Sequence, residues 1–141
     1  MARNTGANCQ VHFVPIRIYA YTLVGRDVQP WERNQGQTRV TGTGLIKVGQ
    51  TTKPSARERV KQQIGTAYPN LDGVEILLDE LAVRVDGTEF TDHEVHAAPV
   101  KYGIRRPEGE WFEGTLDEIK AAIHTVRTGA RFDATRTNSF A

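Results

Sequence analysis

Cysteine is nearly absent from this 141-residue chain: Cys9 stands alone. That excludes an internal disulfide and a cysteine-built metal cluster, and it accords with a reducing compartment. An excess of charge of either sign is also lacking. The 18 Lys and Arg residues stand against 17 Asp and Glu, a formal net charge of +1, so any contact with nucleic acid has to come from a local basic face. No apolar run approaches the roughly 20 residues of a membrane span, and Met1 to Gln10 lacks the apolar core of a signal peptide. The expectation is a cytoplasmic protein that does not enter a membrane. There is no phosphate-loop lysine motif and no helicase box, which excludes a nucleotide-driven motor within the chain. Internal repeats and low-complexity tracts are absent too.

What is present has the balance of a globular domain. Hydrophobic residues make up 38% and charged residues 25%, and a chain of this length buries roughly 68% of its unfolded surface. One domain is expected at 16–129, preceded by an extension at 1–15. The polar, aperiodic stretch at 130–141 reads as a tail or a linker into a larger protein.

Periodicity sets out the elements. Ile16 to Val24 alternates and is rich in β-branched and aromatic residues, which predicts a strand. Gly25 to Thr43 is polar, with Pro30, Gly36 and Gly42, and reads as a long loop of the kind that often carries function. Gly44 to Gln50 predicts a partner strand. Pro54 suits a helix start, with Thr52 as cap, and Ala56, Val60 and Ile64 form an apolar stripe before Gly65 stops the helix. Val74 to Val85 predicts a third strand, completing a small mixed or antiparallel sheet. Thr91 or Asp92 is placed to cap a helix running through Lys101, with Pro99 out of character inside it. Trp111 and Phe112 suit a short edge strand. Thr115 to Glu118 is a capping box, opening a helix with Leu116, Ile119, Ile123 and Val126 on one face and Gly129 at its end.

Basic residues fall in two groups. Lys47, Lys53, Arg57, Arg59 and Lys61 lie in or beside the second strand and first helix, and Lys101, Arg105 and Arg106 precede Trp111. Asp92, Glu94 and His96 bring carboxylates and an imidazole together. Asp92 and His96 share a helical face at a spacing of four, His93 and His96 at three. The spacing His93-Glu94-Val95-His96 is not that of a zinc protease helix, so a zinc peptidase is excluded.

These boxes, taken in order, resemble a GIY-YIG nuclease core. Ile18-Tyr19-Ala20-Tyr21-Thr22-Leu23 matches the first box, and Ile46-Lys47-Val48-Gly49 matches the second in its phage-derived, Lys-Ile-Gly form. Thr51, Thr52, Glu58 and Arg59 follow where that branch places threonines and a Glu-Arg pair. Asp92, Glu94 and His96, then Glu110-Trp111-Phe112, match its later signature.

The resemblance implies an α+β fold, a small three-stranded and mainly antiparallel sheet flanked by helices. It also implies a metal-dependent DNA endonuclease, of the kind that serves as the nuclease module of a larger mobile-element or defence protein. By position, Tyr21 takes the place of the first tyrosine, with Tyr19 as the alternative. Lys47 occupies the place of the second tyrosine, a departure that leaves the general base unassigned. Arg59, or Arg57, would contact phosphate. Asp92 or Glu94 would hold a divalent metal, Mg²⁺ or Mn²⁺. His96 would serve as a base, a hydrogen-bond partner or a packed core residue, and Glu110 would orient a neighbouring side chain. The basic residues of both groups would bind DNA. Two other functions fit the residues: an inactive DNA-binding domain on the same scaffold, and an accessory interaction domain of a larger protein.

Overall fold

In β1, Arg17–Leu23, successive side chains point to opposite sides of the strand. Ile18 and Ala20 therefore join one buried cluster, and Tyr19 and Tyr21 join another. This computed structural model describes residues 14–24, 28–101 and 103–129. Cys9, most of the expected N-terminal extension and the 130–141 tail lie outside the described residues.

The other elements, in chain order, are β2 (Pro30–Gln35), β3 (Thr38–Thr43), β4 (Ile46–Thr51), α1 (Ala56–Ile64), β5 (Val74–Leu81), α2 (Asp92–Lys101), β6 (Trp111–Phe112) and α3 (Leu116–Arg127). A four-stranded sheet runs β5-β1-β4-β6, and each neighbouring pair is antiparallel. The fold is α+β, as expected from the sequence. On one face Ile18, Ala20, Val48 and Phe112 pack with Val95, Ala98, Ile119 and Ile123, burying the sheet under α2 and α3. On the other face Tyr19 and Tyr21 pack with Ala56, Val60 and Leu71, beneath α1 and the turn that follows it.

The stretch expected as a long polar loop is instead a separate hairpin of β2 and β3. Gly36, at φ 63, makes the tight turn that a side chain would strain. The ribbon carries no regular apolar alternation because most of it faces water, with Trp31 half-buried. The hairpin is pinned to the body by Arg33, which donates to the Glu113 carbonyl and pairs with Glu118. Trp31 Nε1 also donates to the Gly44 carbonyl, at 2.8 Å.

The cap of α1 is Ser55 rather than Thr52. Its extended backbone lets the hydroxyl accept from the Glu58 amide. Asp79 of β5 accepts from the Ala56 amide at 2.9 Å and pairs with Arg17 of β1, which ties the start of α1 to the sheet. Pro99 is fully buried in the last turn of α2. Its carbonyl accepts from Ile104, and Gly103 at φ 87 follows, so the proline closes the helix rather than kinking its middle. The capping box of Thr115 and Glu118 opens α3 as the sequence predicts.

The register of β1 against β4 sets Tyr19 opposite Gly49 and Tyr21 opposite Lys47. A Cβ on Gly49 would stand 2.6 Å from the Tyr19 hydroxyl oxygen and 2.7 Å from its ring, so the tyrosine ring lies flat over a glycine. Gly49→Ala is therefore expected to tilt Tyr19 and to cost about 1–3 kcal/mol, the usual range for overpacking. Chemical denaturation of the two proteins measures this, and an unchanged midpoint contradicts it.

Candidate metal and phosphate site

The site forms where β4 runs out of partner. β6 pairs with β4 only at Ile46 and Lys47, so the backbone of Val48 must find other groups. Its N–H donates to the Glu110 carbonyl at 3.1 Å. Its carbonyl accepts from His96 Nε2 at 2.8 Å. A carbonyl only accepts, so Nε2 carries a proton, and in the neutral ring Nδ1 is the nitrogen with the lone pair. That Nδ1 is buried and has no hydrogen-bond partner. The next residue but one, Gln50, accepts from the Asp92 amide through Oε1 at 2.8 Å and so fixes the first turn of α2.

Those three attachments bring Asp92, His96 and Glu110 together, with one donor atom from each lying within 4.8 Å of the others. Asp92 and His96 are buried, and Glu110 is half-exposed and open to solvent. Two carboxylates and an imidazole with a free lone pair form a donor set that suits a divalent cation of the Mn²⁺ type, and a Mg²⁺ ion less well because of the nitrogen. Lys47 Nζ lies 3.7 Å from Glu110 Oε1 and 6.0 Å from the centre of the Tyr21 ring, which orients that carboxylate.

Tyr19 adjoins this cluster from the α1 face. Its hydroxyl donates to Gln63 Oε1 at 3.2 Å. Burial raises its pKa above the usual 10; hydrogen bonding and charge from Arg59 act against this, while Glu110 and Asp92 add to it. The hydroxyl thus lies in the fields of the arginine and of two cluster carboxylates at once, and it stays protonated at neutral pH. Arg59 is half-exposed in the middle of α1 and donates to Gln62. Tyr21 differs. Its ring stacks at 6.2 Å on Tyr19 and meets Trp111 edge-on at 5.4 Å, but its hydroxyl is buried without a partner. Burial, with the neighbouring Tyr19 and Glu110, pushes its pKa up to about 12.

The other expected site residues are placed as follows. Glu94 faces away from the cluster, paired with the buried Arg84 and accepting from the Thr91 amide. Arg57 and Lys61 are exposed on α1, and Lys53 is half-buried just before it. Arg105 pairs with Glu113, and Arg106 donates to the Gly109 carbonyl over the ring of Phe112, on the loop that delivers Glu110. Lys101 closes α2, and its side chain lies outside the described set. His93 is exposed and meets His96 edge-on at 6.0 Å. Gln50 and Gln63 were not anticipated. A glutamine flanking the Lys-Val-Gly box and another in the last turn of α1 carry no distinguishing pattern. Glu110 could have been placed beside Lys47 by pairing Trp111 with that lysine.

Fold and site together define a small α+β domain in which a carboxylate and imidazole cluster adjoins paired tyrosines and a helix arginine. The family whose sequence profile matches is the T5orf172 domain, over residues 18–127, and the chain belongs to that family. It is a nuclease-like domain family. This corrects the GIY-YIG assignment drawn from the sequence boxes, since the match is to a different family and no GIY-YIG match is found. Lys47, in the place the resemblance gave to the second tyrosine, is engaged with Glu110 and the Tyr21 ring. No curated protein and no solved structure matches the chain. Among the described residues no helix is long and apolar enough to cross a membrane.

The Tyr21 hydroxyl gives a pH signature. Its folded pKa, about 12, exceeds the ordinary value of 10. Its contribution to stability is therefore complete below pH 10 and declines from there towards pH 12, because the unfolded chain ionises first. Tyr21→Phe is expected to remove this part of the alkaline loss while holding or slightly raising stability at pH 7, since the buried hydroxyl has no partner to lose. Denaturation midpoints across pH 8 to about 12 measure both effects; a marked loss at pH 7 contradicts the assignment.

Proposed function

We propose that this domain is a metal-dependent DNA endonuclease module. The observation that carries the reading is the convergence of Asp92, His96 and Glu110 beside the Tyr19 hydroxyl and Arg59. Asp92, His96 Nδ1 and Glu110 would hold a divalent metal, Mn²⁺ or Mg²⁺. When bound it would supply positive charge at the phosphate and a bound water of lowered pKa.

The chain's own groups account for the rest. Arg59 is placed to contact the non-bridging phosphate oxygens with its planar guanidinium. The Tyr19 hydroxyl, kept neutral by burial, acts as a hydrogen-bond donor in the site rather than as a phenolate. Lys47 holds Glu110 in place and adds charge. Hydrolysis then adds a water oxygen to phosphorus and breaks one P–O bond, with the leaving oxygen gaining a proton. Arg57, Lys61, Arg105 and Arg106 are exposed cations suited to the DNA backbone, where binding falls with salt by a log-log slope of about −0.9 per phosphate contacted.

Purified protein with supercoiled plasmid tests this reading. Nicking is expected with Mn²⁺ or Mg²⁺ and not with chelator. Arg59→Ala is expected to lower the rate by about 100-fold or more, as loss of one charge-stabilising donor does, while moving stability by less than about 0.5 kcal/mol because the side chain is half-exposed. Asp92→Asn should remove cleavage and leave DNA binding. Salt-sensitive binding with no metal-dependent cleavage of any DNA form would instead favour a DNA-binding module without catalysis.

A further inference from the structure

Beside the candidate centre lies a groove of about 680 Å³ between the β2–β3 hairpin and the end of the sheet, lined by the rings of Trp31, Tyr68 and Trp111 and by Leu45, Glu108 and Glu113 among others. We propose that it receives an unpaired nucleobase of the DNA substrate, next to the phosphate that the centre handles. The proposal rests on the endonuclease reading for the identity of the polymer.

Position comes first. Trp111 belongs to both places: it follows Glu110, pairs with Lys47 across the strands, and meets Tyr21 edge-on at 5.4 Å. A nucleotide whose phosphate lies at Glu110 would have its base beside the groove that the next residue, Trp111, lines. Shape is the second argument. The walls are fastened before any ligand arrives, by Trp31 Nε1 on the Gly44 carbonyl, by Gly44 N–H on the Gln29 carbonyl at 2.9 Å, and by Arg33 on Glu113 and Glu118. A preformed slot of this volume falls in the range of small-molecule sites.

Charge selects the occupant. Among the described residues no lysine or arginine lines the groove, and its ionised groups are Glu108 and Glu113. The lining therefore offers phosphate no cation of its own. A flat, uncharged ligand with amino groups is welcome, since aromatic walls stack on its faces and a carboxylate accepts from an exocyclic amine such as N4 of cytosine. Glu113 is already turned towards Arg105, at 3.4 Å, which leaves the exposed Glu108 as the carboxylate for the base edge. A base stacked inside a duplex cannot reach such a slot, so the preferred substrate carries a bulge, a flap or a single-stranded end.

The test uses the unaltered chain in chelator, where cleavage cannot interfere. Three labelled duplexes are compared by fluorescence anisotropy: fully paired, with one unpaired cytosine, and with an abasic residue in the same bulge. The cytosine bulge is expected to bind about tenfold tighter than either other duplex, the scale of one stacked base. The abasic bulge controls for the flexibility of bulged DNA. Glu108→Gln should narrow the difference between a cytosine and a thymine bulge while leaving the paired duplex unaffected. Equal affinity for all three duplexes, or binding to none, overturns the proposal, and a groove that serves a protein partner gives the former. Metal-dependent nicking without bulge preference overturns the groove and leaves the endonuclease reading; bulge preference without nicking does the reverse.

Discussion

The two hydrogen bonds to the Val48 peptide organise the molecule. A buried backbone group without a partner costs about as much as a lost hydrogen bond, and β6 is too short to pair with Val48 as a strand would. The sheet edge is therefore completed from two directions, by the Glu110 carbonyl from the loop before β6 and by His96 from α2. What satisfies the backbone also fixes which imidazole nitrogen carries the proton and holds the ring beside two carboxylates. A longer β6 would pair with Val48 in the ordinary way and leave His96 no reason to point at the sheet.

The two tyrosines show how one strand divides labour. Both point to the α1 face, and both are buried, yet their hydroxyls meet different surroundings. Tyr19 lies over Gly49 and reaches Gln63, within the fields of Arg59, Asp92 and Glu110. Tyr21 is opposed by Lys47 and closed off by Trp111. Burial dominates in each case, but only Tyr19 has an arginine at its hydroxyl and a polar partner. The enclosed hydroxyl and the partnered hydroxyl thus belong to adjacent versions of the same residue, separated by what the opposite strand presents.

Much of the fold could be read from the chain because its periodic segments are core segments. β1, β4, β5, α1 and α3 all carry apolar stripes, and those faces are the ones buried. The hairpin of β2 and β3 escaped because an exposed ribbon needs no such stripe, and its fastening depends on Arg33 reaching Glu118, residues far apart in sequence. The residues that meet around the cluster, Asp92, His96, Glu110, Tyr19 and Arg59, are all candidates in the sequence, where Tyr21 stands ahead of Tyr19. Their sorting could not be read there, because a choice between Asp92 and Glu94, two residues apart on one helix, turns on Arg84 drawing Glu94 aside. Gln50 and Gln63 act through single hydrogen bonds that no spacing announces.

On the proposed reading the centre and the groove take different parts of the substrate, and their charges differ accordingly. Around the cluster, Lys47 lies 3.7 Å from Glu110, and Arg59, Glu110 and Asp92 all act on the Tyr19 hydroxyl. Across Trp111 the groove has two carboxylates and, among the described residues, no cation in its lining. In a low-dielectric cleft a single unit charge at a few ångströms outweighs a stacking contact. On the endonuclease reading, phosphates would be held by Arg59 on the α1 side and by Arg105 and Arg106 at the rim of the groove, which leaves a base as the group to enter a lining without cations.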